Sequence, residues 1–303
     1  MANKIKEMAA KKNIMEPGSR ACAGCAATAT LSHLLNALDN EGKKVVLVVP
    51  ASCWLINIGF APHSVLHGKV TVYNSLFASA AATAGAFADK LKFENKHKET
   101  IVVVFAGDGS TYDIGFAAVS GAAARGKNIL YVVNDNEAYQ NTGNQDSAAT
   151  PLGTVTTTTP KGASTGHNKK DMDLIMAAHN IPYVATVSLG SVNLTYDFYA
   201  KIKKAAHMEG FRFIHSFNPC PTGWKAKSSD SEKLAKLAVA SKVFPIVEFE
   251  ASVGKWKVTY EVKKTAGLEE YLRLQGRFSD LSAEEIANLK KFYEKRYTFF
   301  KNF

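Results

Sequence analysis

The segment 101–145 constrains the fold of this chain more than any other part of the sequence. It begins with the apolar run IVVVF, residues 101–105, which is typical of a strand buried on both faces of a parallel sheet. A run of small residues, 116–125, predicts a helix that ends at Gly126, and the apolar run 129–133 predicts a second strand. Strand, helix and strand form a βαβ unit, so we expect an α/β fold with a parallel sheet flanked by helices.

Polar residues follow both of these strands, at the sheet edge where open α/β folds bind their ligands. Gly107, Asp108 and Gly109 come directly after the first strand, and Asn136 comes just after the second. Carboxylate and amide oxygens suit Mg²⁺, which is commonly shared with phosphates. The glycines would let a phosphate approach the backbone, and a helix starting near Ile114 would direct N–H groups at it. The residues therefore predict a Mg²⁺–diphosphate site, with an ordinary surface turn as the alternative.

The four cysteines form a second constellation. Cys22 and Cys25 make a CxxC motif, whereas Cys53 and Cys220 each come just after a predicted strand that would end on the same edge as Asp108. Four thiolates can hold a 4Fe–4S cluster or a structural zinc. Zinc modules usually pair two CxxC knuckles, and this sequence has one. From the residues alone, a cluster, a zinc and unliganded core cysteines all stay open.

Longer motifs carry a resemblance to a known family. GDGSTYDIG at 107–115 and NDNEAYQNTGNQ at 134–145 resemble the β subunit of 2-oxoacid:ferredoxin oxidoreductases, above all the pyruvate enzymes. GDG followed at a distance by Asn is the thiamine diphosphate fingerprint of these enzymes. The similarity continues through RACAGC at 20–25, NPCPTGW at 218–224 and LQGRF at 274–278, so it covers most of the chain.

The resemblance implies a thiamine diphosphate-binding fold: a single domain over residues 1–303, with an N-terminal cluster-binding segment and a C-terminal extension over about 230–303. It implies that Mg²⁺ is bound by the side chains of Asp108 and Asn136 and by the carbonyl oxygen of Ala138. The residues implied to contact thiamine diphosphate are Gly107, Asp108, Gly109, Asn136, Ala138, Asn141, Cys25 and Phe77. Among them, Asn141 is the implied catalytic residue, beside the thiazolium. The implied ligands of one 4Fe–4S cluster are Cys22, Cys25, Cys53 and Cys220.

The implied activity is oxidative decarboxylation of a short 2-oxo acid, with electrons passed through the cluster to ferredoxin. Pyruvate with coenzyme A is the expected substrate. Trp54 and Leu55 depart from the usual family pattern near the third cysteine, which leaves oxalate, without coenzyme A, as the alternative. A carboxylate for the aminopyrimidine ring would come from another subunit, because we find no second thiamine domain. A zinc-stabilised, non-catalytic subunit is a more distant alternative.

Charge and composition limit the partners. The 37 basic and 27 acidic residues give a formal charge of +10, which suits an acidic ferredoxin or an ordinary solvated surface. Aromatic residues do not interleave with the basic ones, so we expect no nucleic acid. Segment 1–12 lacks the apolar core of a signal peptide, and 45–60 is too short and too polar to span a bilayer. We therefore expect a cytoplasmic protein that does not contact membranes.

The remaining pattern predicts helix–strand alternation, with a long polar loop over 146–169. Segment 4–14 is expected to form a short helix or an arm lying on a partner. The other predicted helices are 26–38, 78–91, 171–179, 194–207, 230–240 and 282–297. The other predicted strands are 45–49, 183–187, 211–216, 246–250 and 256–258.

Overall fold

The structure is a computed structural model that describes residues 13–59, 63–66, 68–162, 167–262 and 265–303. Most of the segment 4–14, for which we predicted a helix or an arm, lies outside the described residues. Within the described part of the chain, no helix is both long and apolar enough to span a membrane.

One sheet organises the fold, and it contains eight strands over the described residues. The strands are β1 (Lys44–Pro50), β2 (Val70–Ser75), β3 (Thr100–Gly107), β4 (Ile129–Asp135), β5 (Tyr183–Val187), β6 (Arg212–Phe217), β7 (Val247–Glu250) and β8 (Lys255–Val258). Their order is β2-β1-β3-β4-β6-β5-β7-β8. The first six strands are parallel, as predicted, whereas β7 and β8 pair antiparallel. The turn between them, at 251–254, is too short for the crossover that a parallel pair needs.

Helices cover both faces of the sheet. The helices, in chain order, are α1 (Ala26–Asn40), α2 (Cys53–Asn57), α3 (Ala80–Phe93), α4 (Gly109–Tyr112), α5 (Phe116–Ala124), α6 (Met172–Ala178), α7 (Val192–His207), α8 (Pro221–Trp224), α9 (Ser231–Ala240), α10 (Leu268–Arg273) and α11 (Ala283–Asn302). Short 3₁₀ turns lie at Ser228–Asp230 and Gly276–Phe278. The long predicted helices are present, and the short helices were not predicted from the sequence.

Strand β3 shows why the apolar run must be continuous. Val103 and Phe105 pack with α1 and α7 on one face of the sheet, whereas Val102 and Val104 pack with α3 and α5 on the other. Because successive side chains point to opposite faces, a strand covered on both faces needs apolar residues at every position. A third apolar cluster joins α9, α10 and α11 to the end of β6.

Parallel pairing aligns the strand ends that carry the predicted site. Gly107 at the end of β3 pairs with Asn134 in β4, and Asp135 pairs with Phe217 at the end of β6. Strand β1 runs beside β3 and ends at Pro50. The four segments that follow these strands therefore start from one edge of the sheet, which brings together the two constellations of the sequence.

Candidate active site

A cavity of about 200 Å³ lies at this carboxyl edge of the sheet. Three separate segments, 51–53, 107–109 and 134–142, line it together with Phe77. The lining residues are Ala51, Ser52, Cys53, Phe77, Gly107, Asp108, Gly109, Asn134, Asn136, Ala138, Tyr139, Gln140, Asn141 and Thr142. All residues predicted to contact the cofactor line this cavity except Cys25, which lies in a neighbouring groove formed by residues 13–32.

Asp108 is a buried carboxylate that needs a positive partner. One hydroxyl group bonds to it: Ser147 Oγ donates to Asp108 Oδ2 at 2.6 Å. Burial raises the pKa of Asp108 well above its usual range, and the nearby carboxylate of Asp135 raises it further. A divalent cation at this position would offset both effects, so the surroundings of Asp108 fit a magnesium ligand.

Two amide oxygens beside Asp108 also lack partners. Asn134 Oδ1 and Asn136 Oδ1 are buried, and within the described residues neither accepts a hydrogen bond. Buried acceptors left unpaired are destabilising, and native proteins almost always satisfy them. Together with the carboxylate of Asp108, these oxygens form a donor set that fits Mg²⁺ bridging to a diphosphate. We did not predict Asn134 as a site residue. Its place at the end of an apolar strand is the sequence feature that could have indicated it.

The two glycines of the GDG motif serve different purposes. A Cβ on Gly107 would meet no atom within 4 Å, so this glycine faces open space, as expected where a phosphate approaches. A Cβ on Gly109 would lie 2.0 Å from Tyr139 Cε1 and 2.9 Å from Phe77 Cζ. Gly109 is therefore required by the packing of two aromatic rings that line the cavity. The helix expected near Ile114 is interrupted there: α4 is a single turn after Asp108, and α5 begins at Phe116.

The four cysteines approach one another near the same edge. Cys22 is exposed, and Cys25, Cys53 and Cys220 are partly buried. Burial raises the pKa of Cys53 to about 12, and the charges of Cys220, Cys25 and Cys22 contribute to that rise. Burial likewise raises the pKa of Cys220 to about 11, with further contributions from Cys25 and Cys22. Thiols that perturb one another in this way are neighbours in space, although the chain separates them widely.

Three contacts hold the CxxC loop in place. Ser231 Oγ donates to the carbonyl oxygen of Gly24, and the backbone of Ser228 packs directly on Gly24. On the other side, Arg20 N donates to the carbonyl oxygen of Asn57, at the end of the helix that begins with Cys53. Within the described residues, no group of three or more His, Cys, Asp or Glu side chains forms a preformed metal site. The convergence of the thiols fits a 4Fe–4S cluster or a zinc ion and does not distinguish them.

Phe77 and Asn141 both line the cavity. The ring of Phe77 packs against Tyr139, with 6.1 Å between the centroids, and Asn141 is exposed. Trp54 is placed differently from our expectation. Its ring is buried in the core, 5.6 Å from the Phe105 ring centroid, and it does not line the cavity. The departure from the family pattern at Trp54 therefore does not reshape the site.

A buried network of ionic groups lies behind the loop that carries Asn136. His215 Nδ1 lies 2.9 Å from Asp173 Oδ1, and His215 Nε2 lies 2.7 Å from Asp135 Oδ2. Arg296 Nη2, in the last helix, donates to Asp173 Oδ2 at 2.6 Å. Ionised carboxylates only accept hydrogen bonds, so this arrangement favours the protonated imidazole with both ring nitrogens donating, and, against the effect of burial, the two aspartates raise the pKa of His215. No local sequence pattern predicts this network, because its members lie far apart in the chain.

Residues 57–216 match the family described as "Thiamine pyrophosphate enzyme, C-terminal TPP binding domain". This match agrees with the fold and the site, which together define a thiamine pyrophosphate enzyme. The chain is 37% identical to the pyruvate synthase subunit PorB of Methanocaldococcus jannaschii over 295 residues, which are 94% of this chain and 96% of that protein. It is 40% identical to the ketoisovalerate oxidoreductase subunit VorB of Pyrococcus furiosus over 282 residues, which are 90% and 88% of the two proteins. The chain belongs to the family of 2-oxoacid:ferredoxin oxidoreductase β subunits.

The membership confirms both the predicted resemblance and the predicted class of enzyme, an oxidoreductase of a family that works as multi-subunit complexes. A solved 2-oxoglutarate:ferredoxin oxidoreductase from Magnetococcus marinus has the same fold, with a TM-score of 0.58 over 94% of this chain and 89% of that one. The two sequences are 20% identical, so this likeness concerns the fold.

Proposed function

We propose that this chain binds thiamine diphosphate through Mg²⁺ and one 4Fe–4S cluster, as a subunit of a complex that oxidatively decarboxylates a short 2-oxo acid. The supporting observation is that a cavity lined by a buried carboxylate and unpaired amide oxygens lies at the same sheet edge as a group of four thiols. Cys53 belongs to both, since its residue lines the cavity and its thiol is perturbed by the other three.

The residues divide the work of holding the cofactor. Asp108, Asn136 and the carbonyl oxygen of Ala138 would bind Mg²⁺, and Gly107 leaves room for the diphosphate. When bound, thiamine diphosphate supplies the electron sink that decarboxylation of a 2-oxo acid requires. Asn141 stands at the cavity entrance, where its amide can orient a substrate carboxylate or keto oxygen.

The cysteines place an electron acceptor beside the cavity. A 4Fe–4S cluster on Cys22, Cys25, Cys53 and Cys220 would accept electrons one at a time. The overall reaction converts a 2-oxo acid and coenzyme A to an acyl-CoA and CO₂, and it releases two electrons and a proton. Ferredoxin is the proposed final acceptor of the electrons, and the proposed location of the complex is the cytoplasm.

A partner subunit is needed to complete the site. Asp108 is the one carboxylate among the cavity-lining residues of the described chain, and it is committed to the metal. The carboxylate that a thiamine ring requires would therefore come from another subunit docked over the entrance.

Pyruvate is the proposed substrate, because relatives that span nearly the whole chain are named for pyruvate and ketoisovalerate. The Trp54 ring lies in the core, and neither Trp54 nor Leu55 lines the cavity, which supports pyruvate over oxalate. An assay of the purified complex with a viologen dye tests this with pyruvate, a branched-chain 2-oxo acid and oxalate, each with and without coenzyme A. We expect the fastest dye reduction with pyruvate and coenzyme A; oxalate turnover without coenzyme A would replace pyruvate with the alternative substrate.

Two variants separate the two sites. Cys220→Ala should lose iron, acid-labile sulfide and dye reduction while it still binds thiamine diphosphate. Asp108→Asn should keep the brown colour of the cluster and lose Mg²⁺-dependent cofactor binding. Colourless wild-type protein that contains zinc in place of iron would refute the cluster and support a non-catalytic subunit.

A further inference from the structure

We call the loop 136–140 the metal loop and the turn 218–224 the cysteine turn. Two buried side chains contact the metal loop: Trp224, at the end of the cysteine turn, and Arg277. We infer that this pair locks the metal loop to the cysteine turn, so that Arg277 and Trp224 are positioning residues for cofactor binding and set the potential of the cluster. The inference rests on the proposed function of both sites.

The metal loop is held in an unfavourable backbone conformation. Its residue Glu137 has φ of +64°, in the left-handed region that non-glycine residues rarely adopt. The Glu137 carboxylate accepts a hydrogen bond from Arg277 Nη2 at 2.6 Å and one from Lys169 Nζ at 3.0 Å. Thr150 Oγ1 donates to its carbonyl oxygen at 2.8 Å. These three partners fix the residue between the two proposed magnesium ligands, and Arg277 supplies the shortest contact.

The cysteine turn is joined to the metal loop along its length. At the start of the turn, Asn218 N donates to the carbonyl oxygen of Asp135 at 2.9 Å. At its end, Trp224 Nε1 donates to the carbonyl oxygen of Asn136 at 2.8 Å. Trp224 N also donates to the carbonyl oxygen of Cys220 at 2.9 Å. One residue therefore bonds both to a proposed magnesium ligand and to a proposed cluster ligand.

Arg277 binds to the same tryptophan. Its guanidinium carbon lies 3.8 Å from the centroid of the Trp224 ring, a stacked arrangement that is strong when it is desolvated. The residue is 1% exposed, so solvent screens its charge little. The Trp224 residue on which the guanidinium stacks bonds to the carbonyl oxygen of Cys220, so this charge lies beside the cysteine turn. A buried cation favours the more negative, reduced state of a cluster and so raises its reduction potential.

Positioning and charge can be separated by substitution. Arg277→Gln removes the charge and leaves the Glu137 carboxylate with Lys169, so it should weaken cofactor binding and lower the cluster potential. Arg277→Lys keeps the charge and loses the planar fork that stacks on Trp224, so binding should weaken while the potential stays closer to that of the wild type. Trp224→Phe keeps the ring bulk and loses the Nε1 donor, so it should weaken binding and leave the charge in place.

The experiment uses the assembled complex. Calorimetry measures the affinity for thiamine diphosphate with Mg²⁺, and an EPR-monitored redox titration measures the cluster potential. We expect Trp224→Phe to weaken binding roughly tenfold, the effect of one buried hydrogen bond, and Arg277→Gln to weaken it more. Matched controls are Arg273→Gln, an exposed arginine in α10, and Trp256→Phe, whose ring packs on Phe300 away from both segments. Both controls should match the wild type.

The outcomes distinguish the inference from the proposed function. A wild-type complex without iron or without affinity for thiamine diphosphate overturns the proposed function itself. If the wild type has both, and Arg277→Gln matches Arg273→Gln in affinity and potential, the inference is wrong. Should Arg277→Gln fail to assemble, Trp224→Phe carries the test, and wild-type affinity in that variant overturns the positioning role.

Discussion

Gly109→Ala is expected to destabilise the protein, whereas Gly107→Ala is not, although the two glycines flank the same aspartate. The added methyl group on residue 109 would lie 2.0 Å from Tyr139 Cε1. Ordinary carbon contacts begin near 3.5 Å, so the ring would have to move by about 1.5 Å. Tyr139 OH donates to Asp113 Oδ2 at 2.7 Å, and a shift of that size breaks this bond.

The magnitude follows from these contacts. Overpacking costs about 1–3 kcal/mol and the lost hydrogen bond about 1 kcal/mol, offset by up to about 1 kcal/mol for replacing glycine in a helix. The net loss should be about 2 kcal/mol for Gly109→Ala. The methyl group on residue 107 meets no atom within 4 Å, so Gly107→Ala should be neutral or slightly stabilising. Urea unfolding of the cofactor-free protein measures both.

A second measurement separates packing from ligand access. Gly107→Ala should still weaken binding of thiamine diphosphate, because its methyl group occupies the space left for the phosphate. Truncation of Tyr139 to alanine should remove most of the stability loss of Gly109→Ala, which a double-mutant cycle detects. Equal destabilisation by the two single variants, or a loss below about 0.5 kcal/mol in Gly109→Ala, would refute the steric argument.

Three further predictions concern charge and capping. Asp108→Asn should raise the urea midpoint of the metal-free protein, because it removes a carboxylate whose ionisation is opposed by burial and by the charge of Asp135. An unchanged or lower midpoint would contradict this prediction. Burial lowers the pKa of His215, but Asp173 and Asp135 outweigh burial and raise it above 6.5. The stabilisation that protonated His215 contributes should therefore be complete below about pH 6.5, and it should decline as the pH rises through the folded-state pKa. The difference in unfolding free energy between the wild type and His215→Gln should accordingly become smaller as the pH rises. Ser282→Ala should cost about 1 kcal/mol by urea denaturation, because Ser282 forms a capping box at the start of α11.

The central sheet could be predicted from the sequence because its strands are buried on both faces. Strands β3 and β4 consist almost entirely of apolar residues, and this pattern also fixed where the GDG and Asn136 segments meet. Strand β2 was missed, since it lies at the sheet edge and mixes exposed polar residues with apolar ones. The antiparallel pairing of β7 with β5 could not be read from the sequence, because the two strands lie far apart in the chain and no local pattern specifies which strands become neighbours.

The residues that line the candidate site could be singled out from the sequence, whereas the residues that hold them in place could not. Asp108 and Asn136 stand out because each follows an apolar strand directly. Ser147, which bonds to Asp108, lies in a long polar loop where many residues look alike. The pair between Glu137 and Arg277 spans 140 positions in the chain. Such long-range pairs leave no periodicity or spacing in the sequence, so they emerge from the three-dimensional arrangement.

The order of synthesis has a consequence for how the metal loop matures. Glu137 and Asp173 are made midway through translation, but their buried partners Arg277 and Arg296 come near the end of the chain. Until those arginines emerge, Glu137 has only Lys169 and Asp173 only His215 as a cationic partner, and burying carboxylates that are incompletely paired is unfavourable. We therefore expect the nascent chain to form its parallel strands early and the ion pairs behind the candidate site to be completed only after α11 has left the ribosome. The proposed binding of thiamine diphosphate would then follow the synthesis of Arg277 and Arg296.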